Sequence, residues 1–217
     1  MIRKILLLTT IFLALTIIIS CEINTDQEQT EPISLKKTEI IPSKEGPVSI
    51  PYQIKAPKIN PELNFCNELV PVEQNFIYEK IDREFLVNMY WQSQTFLFLK
   101  RAHKWFPIIE PILAKNNIPD DFKYLAVIES GLMNATSPSG AKGFWQFMPK
   151  TAKGHHMEVN EFVDERYKVE LATEAACEYL NQAYNKFGNW TLAAASYNMG
   201  KAGLERRLTQ QQVNSYY

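Results

Sequence analysis

Proline and glycine are segregated along this 217-residue chain, and that segregation limits what each stretch can become. Seven of the 12 prolines lie between Pro32 and Pro71, whereas seven of the eight glycines lie between Gly131 and Gly203. Proline fixes φ and removes a backbone donor, so the first stretch resists both helix and sheet. Glycine opens positive φ, so the second stretch is suited to short elements joined by sharp turns. The length allows one full hydrophobic core and hardly two. A formal charge of −1 leaves no basic excess to follow a phosphate backbone, which argues against a nucleic-acid partner.

From Val72 onward the apolar residues recur at helical intervals. Phe76 and Ile77, then Ile81, Phe85 and Met89, predict one helix, and Thr95–Phe106 predicts a second. Pro107 and Pro111 mark a break or a restarted helix. Asn116–Pro119 reads as a turn, with Asp120 and Asp121 capping a short helix from Phe122 to about Ser130. A polar loop, Gly131–Gly143, precedes another expected short helix over Phe144–Ala152. Val169, Ala172, Ala176, Leu180, Ala183 and Phe187, spaced 3, 4, 4, 3 and 4, give the best helix. Gly188 is placed to end it, and Asn189 to cap Trp190–Met199. Past the head no segment alternates convincingly as a strand. The expected class is all-α, a bundle of short helices.

The head has Arg3 and Lys4 before an apolar run from Ile5 to Ile19, the flanks of a signal sequence. Ile18-Ile19-Ser20-Cys21 resembles a bacterial lipobox, which implies removal of residues 1–20, acylation of Cys21, and an outer-membrane anchor facing the periplasm. The remainder then carries 21 basic and 24 acidic side chains, a net charge of −3. An acidic surface does not attract an anionic bilayer, so the acyl chains must supply the membrane contact. Residues 21–71 read as a proline-rich tether whose last part, with Leu63, Phe65 and Leu69, lies against the domain. The domain spans 72–217, with a helical part, 72–118, and a motif-bearing part, 119–217. Cys66 and Cys177 either pair in an oxidising compartment or stay as buried thiols. With no CxxC and no zinc-like spacing, no metal or cofactor is expected.

Glu129 is the residue to explain. It ends the apolar turn Tyr124-Leu125-Ala126-Val127-Ile128, immediately before a glycine-containing loop. Leu125 shares its helical face, so the carboxyl leaves a packed surface. Such surroundings disfavour the anion and raise the pKa, which suits a general acid. His155-His156 is read as a surface loop and His103 as a solvated face. Trp91, Trp105 and Trp190 are read as core, and Trp145 as either core or sugar platform.

Three further stretches follow Glu129-Ser130 in order. They are Ser137, then Gly140-Ala141-Lys142-Gly143-Phe144-Trp145-Gln146-Phe147-Met148-Pro149, then Tyr197-Asn198. Together they resemble the lytic transglycosylases with a goose-lysozyme-like domain, glycoside hydrolase family 23, particularly its membrane-bound members. The resemblance implies a lysozyme-like fold acting on peptidoglycan glycan strands. It implies Glu129 as the acid/base, with Ser130, Ser137, Gln146, Tyr197 and Asn198 around the substrate. The family reaction leaves a 1,6-anhydromuramoyl end, because the muramoyl C6 hydroxyl replaces water as nucleophile. A second carboxylate is then not needed. Hydrolysis by water, and a non-catalytic glycan-binding lipoprotein, are the alternatives. Relatives continue through a Glu-Thr-x-x-Tyr-Val-like segment into a last helix, whereas this sequence closes on Gln212–Tyr217. The expectation is therefore a bundle without that helix.

Overall fold

The computed structural model describes residues 54–217; the head, Cys21 and most of the tether lie outside them. Seven α-helices carry the described residues. They are α1 (Asn75–Tyr90), α2 (Gln92–Lys115), α3 (Lys123–Ser130), α4 (Pro149–Gly154), α5 (Val169–Phe187), α6 (Trp190–Met199) and α7 (Lys201–Gln211). Single 3-10 turns, Asp120–Phe122 and Glu165–Tyr167, lead into α3 and α5. The all-α class follows from the apolar spacing. Helix α5 buries Val169, Ala172, Ala176, Leu180 and Ala183 on one face, and its alanines let α2 and α6 approach closely. Gly188 ends α5 at φ 79, and the Asn189 side chain accepts from Leu192 N at 2.7 Å to start α6.

Pro107 and Pro111 do not interrupt α2, which runs through both. They are four residues apart and both exposed, so the carbonyls they leave without donors are on the side open to water. The opposite face buries Ile109 and Leu113 almost completely. Together these two side chains contribute about 3–6 kcal/mol, the same scale as about 3 kcal/mol for each proline in a helix interior. Packing of this face offsets the local break signal, and the helix continues.

A small antiparallel hairpin, β1 (Asn64–Phe65) with β2 (Glu68–Leu69), occupies the end of the expected tether. Phe65 is fully buried against Phe122, and Leu63 joins Val70, Ile77 and Ile81 in a second cluster, but Leu69 is exposed. The Glu68 carboxylate accepts from Trp190 N and Thr191 N, two of the orphan donors at the start of α6. The hairpin thus holds the beginning of a helix more than 120 residues away in sequence.

Other local expectations change as well. The expected helix does not start at Phe144: Gly143–Gln146 is a turn and Phe147 bridges back to Lys142, because Gly143 and Gln146 take positive φ. Pro149 then sits in the first turn of α4, where its missing N–H costs nothing. Helix α7 has no clear apolar stripe and was not legible in the sequence. After it, Tyr216 packs with Leu192, Ala195 and Leu204, and Tyr217 packs with the Leu63–Ile81 cluster. Trp91 is exposed at the corner between α1 and α2, not core. His155 is likewise not a surface residue: its ring lies 6.2 Å from Phe147 and 6.0 Å from Tyr179, with Nδ1 2.9 Å from Glu178. Cys66 and Cys177 are both free and buried, and burial pushes the Cys177 thiol up to about 12.

Candidate functional site

Glu129 stands in the last turn of α3. Leu125, Ala126 and Val127 are buried, so the helix is fixed by packing up to the residue before its terminus. Gly131 closes the helix in the left-handed region at φ 62, donating to Val127 O at 2.7 Å. The Glu129 carboxyl has no hydrogen-bond or ion-pair partner among the described residues. Desolvation alone raises its pKa to about 7, so near neutral pH it holds a proton it can give and take back.

Two hydroxyls hold the next loop beside this acid. Ser130 Oγ is buried between Ala126 O at 3.1 Å and Phe144 O at 2.9 Å, and accepts from Met133 N. From the other side the Tyr197 phenol, on α6, donates to Trp145 O at 2.9 Å. Burial, and then the nearby charge of Glu129, keep this phenol protonated well above its ordinary range. Its ring packs edge-on against Phe147 at 5.9 Å and Tyr179 at 5.1 Å. Trp145 is wholly buried, with Nε1 donating to Thr173 Oγ1, which makes it core and not a sugar platform.

The loop between these anchors folds back on itself. Gln146, at φ 48, donates through Nε2 to Ala135 O at 3.1 Å and Gly143 O at 2.8 Å. Its amide donors are therefore engaged, leaving Oε1 as the acceptor for a ligand. Ser137 Oγ accepts from Ala141 N at 3.0 Å and shapes the turn to Gly140. Gly143 has to be glycine: a Cβ there would lie 1.8 Å from Arg166 O. Asn198 is exposed one residue after Tyr197.

A model of the family described as "Transglycosylase SLT domain" matches residues 106–216 of this chain. The chain belongs to that family. The matched span contains every site residue described so far, from Glu129 to Asn198. The sequence is also similar to "Membrane-bound lytic murein transglycosylase D" of Escherichia coli (strain K12), with 31% identity over 103 residues. That alignment covers 46% of this chain and 23% of the relative, so the chain spans only part of it. A third similarity, 28% over 126 residues, is to "Putative tributyltin chloride resistance protein" of Alteromonas sp. (strain M-1), covering 57% and 61%.

Two arginines, Arg166 within the matched span and Arg101 just before it, were not legible as site residues. Arg166 is buried; its guanidinium donates to Gly140 O at 2.9 Å and Phe147 O at 3.0 Å, and forks onto Asp164. In sequence it sits in the run Asp164-Glu165-Arg166, which looks like an ordinary solvated charge cluster. Arg101, on α2, donates through Nη1 to Gly131 O at 3.0 Å, two residues past Glu129. Nothing in the local pattern of α2 points to it. Among the described residues no group of three or more His, Cys, Asp or Glu side chains is placed to hold a metal ion.

Proposed function

We propose that this protein is a peptidoglycan lytic transglycosylase, cleaving the β-1,4 bond between N-acetylmuramic acid and N-acetylglucosamine with Glu129 as general acid and base. The observation that carries this reading is the Glu129 carboxyl, unpaired, desolvated and poised at about 7, in a chain of the SLT family. Glu129 gives its proton to the glycosidic oxygen as the bond from the muramoyl C1 breaks. The resulting carboxylate then takes the proton of the C6 hydroxyl as that oxygen bonds to C1. The product is a 1,6-anhydromuramoyl end, and Glu129 finishes in the protonated form in which it began. An intramolecular nucleophile needs orientation rather than a second carboxylate to activate water, and the Ser130 and Tyr197 anchors support that orientation by fixing the loop. The Gln146 Oε1, the Ser137 hydroxyl and the Asn198 amide are the substrate's polar partners, accepting from or donating to its N-acetyl and hydroxyl groups.

Mass spectrometry of digested peptidoglycan, with the parent and E129Q side by side, tests this. Anhydro ends from the parent and none from E129Q are expected. Reducing ends without anhydro products would assign hydrolysis instead. Glycan binding without turnover in either protein would assign a binding lipoprotein.

We also propose that Cys21 carries the lipid anchor and that the protein acts from the inner face of the outer membrane. The Ser20-Cys21 junction after an apolar run supports this. Incorporation of labelled fatty acid into the parent but not into C21S is the expected result. Equal labelling of the two would overturn it.

A further inference from the structure

The first three quarters of α2 are one-signed. Between Gln92 and Ile109 it carries Lys100, Arg101 and Lys104 and no acidic residue, the first being Glu110. None of the three cations joins an ion pair among the described residues. Lys104 only overlies the Trp105 ring at 4.6 Å. Arg101 is the inward member of this group and is half-buried. Its Nη1 donates to Gly131 O at 3.0 Å, and the Phe98 ring packs on the same glycine, where an added Cβ would come within 3.1 Å of it. That contact uses one of the five N–H donors of a guanidinium, and no other partner among the described residues takes the rest. Arg101 is not paired with Glu129, whose carboxyl answers to desolvation alone. A half-buried guanidinium with unused donors, hydrogen-bonded to the glycine two residues past the acid, fits a planar anion.

We propose that Arg101 is a specificity-determining residue that binds a carboxylate on the lactyl branch of the muramoyl sugar. This rests on the glycan-cleaving reading above. The bond that Glu129 attends belongs to the muramoyl residue, and the lactyl branch is where a glycan strand carries its acidic groups. The carboxylate is either the lactyl group's own, in strands without peptide, or one of the peptide's. Lys100 and Lys104 add attraction that salt screens, whereas the Arg101 fork supplies the directed contact.

The test measures dissociation constants and turnover for the parent, R101Q and R101K on three soluble glycan oligomers. One bears peptides, one is peptide-free with the lactyl carboxylate exposed, and one bears peptides with every carboxylate amidated. R101Q is expected to bind the anionic oligomers about tenfold more weakly than the parent, with the amidated one unchanged and R101K recovering part of the loss. Loss on the peptide-bearing oligomer alone assigns a peptide carboxylate, loss on the peptide-free oligomer alone assigns the lactyl group's own, and loss on both shows that the guanidinium takes either. Equal weakening on all three oligomers would show that Arg101 only props Gly131, and would overturn the inference. So would unchanged binding by R101Q. If the parent cleaves nothing yet shows the charge-dependent binding difference, the reaction assigned to Glu129 fails while this inference stands. If the parent binds none of the three, both fail.

Discussion

The phenol of Tyr197 donates to the carbonyl of Trp145 at 2.9 Å, joining the last turns of α6 to the loop that follows α3. Ser130 makes the matching bond, to Phe144 O, from the α3 side. Consecutive residues of one loop are therefore tethered, one of them by the residue that follows the candidate acid. Y197F removes one tether and leaves a poorly hydrated carbonyl without its donor. It is expected to cost about 1–2 kcal/mol of stability, read by thermal or denaturant unfolding. Turnover of peptidoglycan should fall about tenfold, on the order expected when positioning is loosened. A Y197F protein as stable and as active as the parent would show that the aromatic packing alone holds the loop.

Glu129 gives a pH prediction with a fixed sign. Its pKa rises from 4.5 unfolded to about 7 folded. Below pH 4.5 the carboxyl is neutral in both states and the fold loses nothing. As pH rises through 7, the buried anion withdraws on the order of 3 kcal/mol. E129Q cannot ionise, so it should match the parent in stability near pH 4 and exceed it at pH 8. Its turnover should drop on the order of a thousandfold. In the parent, kcat/KM should decline as pH rises through about 7, since the acid must carry its proton into the reaction. A decline near pH 4.5 instead would place the acid elsewhere.

Two glycines of the loop separate space from conformation. Gly140 and Gly143 both have positive φ, 85 and 79. Nothing approaches a Cβ at Gly140, whereas one at Gly143 would strike Arg166 O. G140A should cost about 1–2 kcal/mol, the penalty of the left-handed region alone. G143A should cost several times as much and abolish turnover, because backbone has to move. Comparable melting temperatures for the two variants would contradict the close approach.

Arg166 is predicted to matter through the loop it clamps. Replacing it with Met strips the donor from Gly140 O and Phe147 O and leaves Asp164 with Lys142, at 3.2 Å, and the backbone N–H of residue 166, at 3.4 Å. Removing one partner of a buried pair typically costs about 3–5 kcal/mol, which denaturant titration of R166M would read. The guanidinium also holds Asp164 down to about 2, from an ordinary 3.8. That contribution is present above pH 3.8 and disappears as pH falls towards 2, about 2 kcal/mol in all. In R166M the acid limb of the stability curve should flatten over that range.

The sequence by itself determined the helical class, the terminus carrying Glu129, the glycine-shaped loop and the order of the residues around it. These are local properties. Apolar spacing reports which face of a helix is buried, and a glycine or an asparagine reports where the chain turns. Only the tertiary structure decided that α2 passes through Pro107 and Pro111, because the outcome depended on how deeply Ile109 and Leu113 are buried. It also drew the Leu63–Val70 hairpin into the core and brought Glu68 to the start of α6. The same holds for the side chains of the site. Ser130 and Gln146 are visible as polar residues in a sequence, but their partners, Phe144 O, Ala135 O and Gly143 O, are fixed by folding of the loop. Arg101 and Arg166 reach Gly131 and Gly140 across 30 and 26 residues. Hydrogen bonds at such separation leave no period in the sequence, so a guanidinium that organises the site looks there like any other surface charge.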